Sequence, residues 1–450
     1  MVHQTISTRM TSAPSASNNS KLMRPILERG TPTPVWRGAW HTGVMVVAAL
    51  LAACAGPARL PPPASEPSAP STSAPPSASA PSVSTPSDPE SLAELNDALL
   101  WAASQPVPAP LSRPRSQWIP AAWTELPGLR NDLAAADWSA AWNAWVRSCE
   151  RPANTWPTLC RQVRPLMLAA PASQLAWMVR NLQPYRVAAS DGSLPSGLLT
   201  GYYEPELRAS RVRSTSHPVP LYAPPAGLNA QQPWFSRQDI DTRPDVQAQL
   251  AGREIVWLAD PIDALIVQIQ GSGRVKVTEP DGSERVVRLA FAGHNGHTYR
   301  SVGRWLLDRR AISDASWTAI KTWAARNPDQ LNDMLWSNPR TVFFREEPLG
   351  TLEAQFGPRG AQGVPLTPQR SIAVDPGAIP YGTPVWLSSP GPTAMLQRLV
   401  LAQDTGAAIT GAARADYFAG WGDEALAIAG GLKQPLQLWA LWPRTGATSP

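Results

Sequence analysis

The chain has 450 residues, 50 of them proline, with a formal net charge of +5 and a pI near 9.3. That length excludes one small core and suits two domains. Nearly all the positive charge is arginine, since lysine occurs only at 21, 276, 321 and 433. No Lys/Arg run is long enough for a nucleic-acid patch, so no nucleic-acid partner is expected, and the mild basic excess suits another polyanion.

Residues 43–53 form an apolar run preceded by Arg24, Arg29 and Arg37. It is too short to span a bilayer permanently and has the length of a signal-peptide core. It ends in Leu51-Ala52-Ala53-Cys54, which resembles the lipobox of bacterial lipoproteins. The resemblance implies a signal peptide at 1–53, lipidation of Cys54 and attachment to a membrane. Ala55 in place of Asp implies the outer membrane, facing the periplasm. Met1 and Met23 both remain possible starts. Residues 54–92 are the anchor and a Pro/Ser/Ala tether with almost no large apolar side chain. Such a tether is disordered and reaches on the order of 100 Å when extended. Export brings oxidising conditions, in which Cys149 and Cys160 either pair or stay as two buried thiols.

From 93 to about 190 the periodicity is helical. Leu133, Trp138, Trp142 and Trp145 share one face, and Leu175, Trp177, Met178 and Leu182 another. Tryptophans at this spacing are core first and sugar platforms second. From about 198, Gly and Pro separate short apolar runs that read as strands, among them 255–258, 265–269, 274–278 and 286–289. Asp281-Gly282 between the last two predicts a hairpin. Helices return at 301–336, with Asn327-Pro328 as a helix start. Short strands resume from 341 to 443.

Most catalytic chemistries find no support. His294 and His297 have HxxH spacing but no third ligand nearby, so no metal site is expected. There is no CxxC, phosphate loop or dinucleotide fingerprint, and no cofactor is expected. Three aspartates remain. Asp375 precedes Pro376-Gly377, Asp404 ends the run 399–403 and precedes Thr405-Gly406, and Asp416 precedes Tyr417-Phe418. A carboxyl at a strand end facing a cleft is desolvated and held partly protonated, as a glycosidase acid needs. Each of the three serves equally well as the cap of its own turn.

Several stretches in one order carry a resemblance. They are Thr200-Gly201-Tyr202-Tyr203-Glu204-Pro205, Gln268-Ile269-Gln270-Gly271-Ser272-Gly273, Asn295-Gly296-His297 with Tyr299, Asn338-Pro339 with Val342–Arg345, and the three aspartate contexts. Together they resemble the membrane-bound lytic murein transglycosylase A family with its C-terminal 3D region. The resemblance implies a mainly β protein with helices. A six-stranded double-psi β-barrel domain would come from 93–204 and 341–450. A smaller barrel-like β domain would be inserted at 205–340, with a glycan groove between the two.

It further implies a peptidoglycan lytic transglycosylase that cleaves the MurNAc-β-1,4-GlcNAc bond without water, with Asp404 as the catalytic residue. Tyr202, Tyr203, Gln270, Ser272, Asn295, Tyr299, Asp375 and Asp416 would bind substrate, with Tyr202 or Tyr203 stacking on a sugar. The partners it implies are glycan strands, the membrane and proteins of wall synthesis or division. A hydrolytic muramidase with Asp375 as second carboxylate, and a non-catalytic peptidoglycan-binding lipoprotein, are the alternatives. Two departures stand out: Ala407 where the family has glycine, and Thr410 where it has lysine.

Overall fold

The computed structural model describes residues 88–133, 137–229 and 232–444; Cys54, the signal segment and the tether through residue 87 lie outside the described residues. The first described element is a helix, α1 (Pro89–Ser104), with Pro at its first position and the Asp88 carboxylate accepting from Ser91 N. The structure therefore corrects the tether reading, which ran to 92: an N-cap followed by Pro is a helix start.

In chain order there follow β1 (Leu111–Arg113), β2 (Ser116–Pro120), α2 (Leu129–Leu133), α3 (Trp138–Ser148), α4 (Pro157–Val163), α5 (Pro171–Asn181), β3 (Leu182–Ala188) and β4 (Gly197–Glu204). Then come β5 (Glu206–Ser210), β6 (Val219–Tyr222), α6 (Arg237–Thr242), α7 (Pro244–Leu250), β7 (Glu254–Leu258), α8 (Pro261–Gln270), β8 (Ser272–Thr278) and β9 (Glu284–His294). The rest is α9 (Val302–Asp308), α10 (Trp317–Arg326), α11 (Leu331–Trp336), β10 (Val342–Pro348), β11 (Ser371–Val374), β12 (Pro384–Ser389), β13 (Leu396–Asp404), β14 (Arg414–Trp421), α12 (Gly422–Gly431) and β15 (Lys433–Pro443).

A nine-stranded sheet runs β1-β2-β3-β15-β12-β13-β11-β14-β4, and β15 also pairs with β4. That extra pairing closes β4, β14, β11, β13, β12 and β15 into a barrel. Parallel pairs β11–β13 and β14–β4 lie among antiparallel ones, as interlocked psi connections require. The central barrel strands β11 and β12 and most of β13 are buried on both faces, which is why they read as continuous apolar runs. Val385, Leu387, Val400 and Ala402 fill the interior with Ile372, Val374 and Tyr417. Trp386, Leu399 and Leu401 point outward under the helices, against Trp138, Trp142 and Trp145. These three tryptophans are each 1% exposed, so they are core. Cys149 and Cys160, just beyond them, form a disulfide.

The second sheet, β10-β9-β8-β5-β7-β6, packs on one face of α8 through Ala264 and Val267. The other face of α8, through Leu265 and Ile266, meets α9, α10, α11 and α12. The hairpin at Asp281-Gly282 forms as expected, with β8 and β9 antiparallel. β10 also pairs with β9, so 342–348 belongs to this sheet and not to the barrel, to which the sequence reading gave everything after 340.

Two local readings are corrected and one is borne out in part. The run 265–269 is helix, not strand. An apolar run buried on both sides has no diagnostic period; what decides it is Asp260-Pro261, where Asp260 Oδ1 accepts from Ile262 N, with Gly271 in the left-handed region ending the helix. Asn327-Pro328 does start a helical segment, a 3-10 turn (Pro328–Gln330) with Pro at its first position that leads into α11, but Asn327 makes no side-chain cap bond there and instead donates to Trp323 O at the end of α10. The C-terminal strand region contains a helix, α12.

Candidate active site

The three aspartates are sorted by strand register. Ala373 on β11 pairs with Asp404 on β13 and, on its other side, with Asp416 on β14. Asp416 pairs in turn with Thr200 on β4. Residues 404, 373, 416 and 200 thus form one row across four strands. Asp375 lies two positions further along, past the end of β11.

A cavity of about 950 Å³ opens over this row between the barrel and the inserted sheet, lined by Asp404, Asp416 and Tyr202 from the barrel side and by Gln270, Ser272 and Tyr299 from the other. Asp404 occupies the barrel-interior parity of β13, after Val400 and Ala402, but stands at the strand's end and is half-buried. Its neighbour Gln403 points the other way and donates to Ala144 O (2.9 Å) and Ser148 Oγ (2.8 Å), tying the strand end to the tryptophan-rich helix.

One Asp404 oxygen accepts from the Tyr202 hydroxyl (2.9 Å) and the other from the Ala361 amide (2.9 Å). The backbone must come close for the second bond. A Cβ on Gly360 would lie 2.5 Å from Gln403 O and 3.2 Å from Asp404 Cβ, so only glycine fits there. Burial pushes the Asp404 carboxyl above the usual aspartate range, and the nearby Asp416 adds to it. The amides of Thr405 and Ala361 and the Tyr202 hydroxyl pull partly the other way. Asp416 is also raised by burial, offset by its bond from Thr200 Oγ1 (2.6 Å) and by Arg414.

Three expected binding residues have other tasks. Asp375 does not line the cavity. It is 4% exposed, and its oxygens accept from Gly377 N (2.9 Å), Gly411 N (2.8 Å) and Arg115 Nη1 (3.0 Å). Burial alone would raise its carboxyl, but these donors hold it below the usual range. It fastens the cavity loop 405–411 to the end of β11. Tyr203 is 6% exposed, points into the core around α8 and does not line the cavity; strand alternation sends Tyr202 and Tyr203 to opposite faces. Asn295 is 0% exposed and fully engaged, donating to Phe235 O and Pro339 O and accepting from Thr341 N. Ala407 is not among the residues with positive φ, so its departure from glycine carries no backbone strain.

The sequence reading missed the Ala361 amide, because a backbone donor leaves no side-chain signal. It also missed the arginines on the cavity wall, among them Arg340, Arg345 and Arg414. Among the described residues, no group of three or more His, Cys, Asp or Glu is placed to hold a metal ion.

Tyr202→Phe removes one donor that favours the charged form of Asp404. The expected results are a kcat fall of about fivefold, the worth of a neutral hydrogen bond of about 1 kcal/mol, and an alkaline limb of the pH–rate profile moved to higher pH. An unmoved profile would mean that Tyr202 does not act through Asp404.

Residues 198–345 match the model of the MltA specific insert domain, and residues 370–442 that of the 3D domain. The Escherichia coli K12 protein called membrane-bound lytic murein transglycosylase A is 31% identical over 55% of this chain and 66% of its own length, just under two thirds. Among solved structures, the lytic transglycosylase LtgG of Burkholderia pseudomallei is 41% identical, with a TM-score of 0.51 over 76% of this chain and 97% of its own. MltA from Neisseria gonorrhoeae is 27% identical, with a TM-score of 0.61 over 75% of this chain and 96% of its own. Both domain models in their places on one fold, with relatives aligned along nearly their full solved length, leave one assignment: the chain belongs to the membrane-bound lytic murein transglycosylase A family and carries its 3D domain.

Proposed function

We propose that the protein is a peptidoglycan lytic transglycosylase that cleaves the MurNAc-β-1,4-GlcNAc bond without water and leaves 1,6-anhydro-MurNAc ends. The observation that carries this is Asp404, a half-buried carboxyl with raised proton affinity on the floor of a glycan-sized cavity. Protonated, it gives its proton to the glycosidic oxygen as the C1–O bond breaks, and GlcNAc leaves as an alcohol. As carboxylate it takes the proton of the muramic C6 hydroxyl, whose oxygen attacks C1. The proton returns to Asp404 and no water is consumed. The internal nucleophile is already in place, so proximity supplies much of the rate.

Tyr202 holds Asp404 in position, and Gln270, Ser272 and Tyr299 offer hydrogen bonds to N-acetyl and hydroxyl groups. Attachment through Cys54 to the outer membrane, with the tether carrying the body to the wall, fits the membrane-bound naming of the relatives. Asp375 does not line the cavity and its oxygens are taken by three donors, which supports this reading over a hydrolase with Asp375 as second carboxylate.

The test is digestion of purified sacculi by the full chain, with mass spectrometry of the products. Anhydro-muropeptides, lighter than hydrolysis products by one water, are expected. Reducing ends would instead mean a hydrolase, and no released product a binding lipoprotein.

A further inference from the structure

One end of the cavity is built for an anion. Arg237, at the start of α6, is 7% exposed and lines the cavity wall. Its Nε donates to Asn338 O (3.1 Å), and its Nη2 donates to Gln268 Oε1 (2.7 Å) and Arg340 O (2.6 Å). Among the described residues, its Nη1 finds no hydrogen-bond partner and no carboxylate lies within ion-pairing distance of the guanidinium. Asp241, whose charge reaches Arg237, instead accepts from Trp336 Nε1 at 2.9 Å. Arg340, just before β10, lines the same wall. It has no carboxylate partner among the described residues, and its one donated side-chain bond goes to His297 O (3.2 Å). His294 completes the group. It lines the same cavity, and its Nδ1 accepts from Gly296 N (2.9 Å), which leaves the neutral ring's proton on Nε2.

A buried cation without a counter-charge is costly, and the cost is relieved when a ligand brings the charge. The fork of an arginine matches the two oxygens of a carboxylate. The cavity's two lining carboxylates, Asp404 and Asp416, are both on the barrel side, with Arg414 beside Asp416, so neither stands against the Arg237–Arg340 wall.

We infer that Arg237, Arg340 and His294 form a subsite for a carboxylate carried on the branch at muramic acid C3, and that it distinguishes murein from neutral N-acetylglucosamine polymers. This rests on the transglycosylase reading and names the substrate feature that the reading leaves open. A bare GlcNAc chain offers no carboxylate. A murein strand offers one from the lactyl group when the peptide is removed, and others from the stem peptide when it is present. Either satisfies the open Nη1 of Arg237 and the donors of Arg340.

The test is equilibrium binding to the full chain carrying Asp404→Asn, which binds without turnover, with and without Arg340→Gln. Three probes are used: chitohexaose, a peptide-free murein oligosaccharide, and a peptide-bearing one. Arg340→Gln is expected to lower the preference for a carboxylate-bearing probe over chitohexaose by about tenfold. The probe that loses more identifies the source as lactyl or stem-peptide carboxylate. Arg237→Lys keeps the charge but loses the fork, and is expected to lower the preference less. An unchanged preference, including a parallel loss on all three probes, overturns the inference and leaves the transglycosylase reading intact. If no probe binds the Asp404→Asn chain, the transglycosylase reading fails and the subsite with it.

Discussion

Asp404→Asn is expected to abolish glycan cleavage while glycan binding persists. Asparagine keeps the shape: its Oδ1 can accept from the Ala361 amide while its Nδ2 donates to the Tyr202 hydroxyl oxygen, so the cavity floor holds. It can neither give nor take a proton. In the proposed mechanism one carboxyl serves as acid and then as base, so kcat should drop by about 10³-fold or more, towards the upper end of what a general acid–base group supplies. The wild-type pH profile follows from the same group. Burial raises the Asp404 pKa, so the acid form needed for the first step persists to higher pH than an exposed aspartate would allow; activity falls as pH rises through that raised value. Asp416 contributes to the raising, and Asp416→Asn should move the alkaline limb to lower pH. The measurement is anhydro-muropeptide release against pH, with binding followed separately. Normal cleavage by Asp404→Asn would remove the residue from the mechanism.

Glu204→Gln is expected to give the largest loss of stability. Glu204 ends β4, where the chain leaves the barrel, and its side chain is 0% exposed. It accepts from Arg288 Nε (2.6 Å) and Arg274 Nε (2.9 Å), both from the inserted sheet. The same two guanidiniums donate onward to Phe356 O, and Arg274 also to Ala354 O. Those carbonyls lie just before the Gly360-Ala361 turn that grips Asp404. The carboxylate therefore balances two buried cations and fixes barrel, insert and catalytic loop together.

Replacing it with a neutral amide removes the carboxylate that both buried cations share, leaving Arg274 only the more distant charge of Glu206. The expected cost is about 3–5 kcal/mol, and the transition temperature should fall by roughly 10 °C. Thermal unfolding checks the first effect. Cleavage well below the new transition checks the second, since a loosened Ala361 loop should lower kcat even in the folded population. A transition within a degree of wild type would show that the cluster does not hold the two sheets together.

Much of this was legible in the residues. The helical face of Trp138, Trp142 and Trp145, the hairpin at Asp281-Gly282 and the two-sided apolar runs of the barrel are local patterns that burial alone enforces. Periodicity failed at 265–269, where a helix buried on both sides shows the same apolar run as a buried strand. It failed again at α12, a small-residue helix with no strong apolar face.

The site itself was only half legible. Motif order singled out Asp404, but local chemistry could not separate it from Asp375 and Asp416. Adjacent residues such as Tyr202 and Tyr203 could not be assigned to groove and core without knowing which face of β4 meets which layer. Those distinctions are long-range. They depend on Ala373 lying in register between Asp404 and Asp416, on a barrel closed by strands far apart in sequence, and on the Ala361 amide reaching across from a separate loop. By itself the sequence determined which residues must be buried and which carry charge, because those are properties of side chains. Only the tertiary structure decided which carboxyl is desolvated, which is neutralised by donors and which faces the cavity, because proton affinity is set by neighbours that the folded chain brings together.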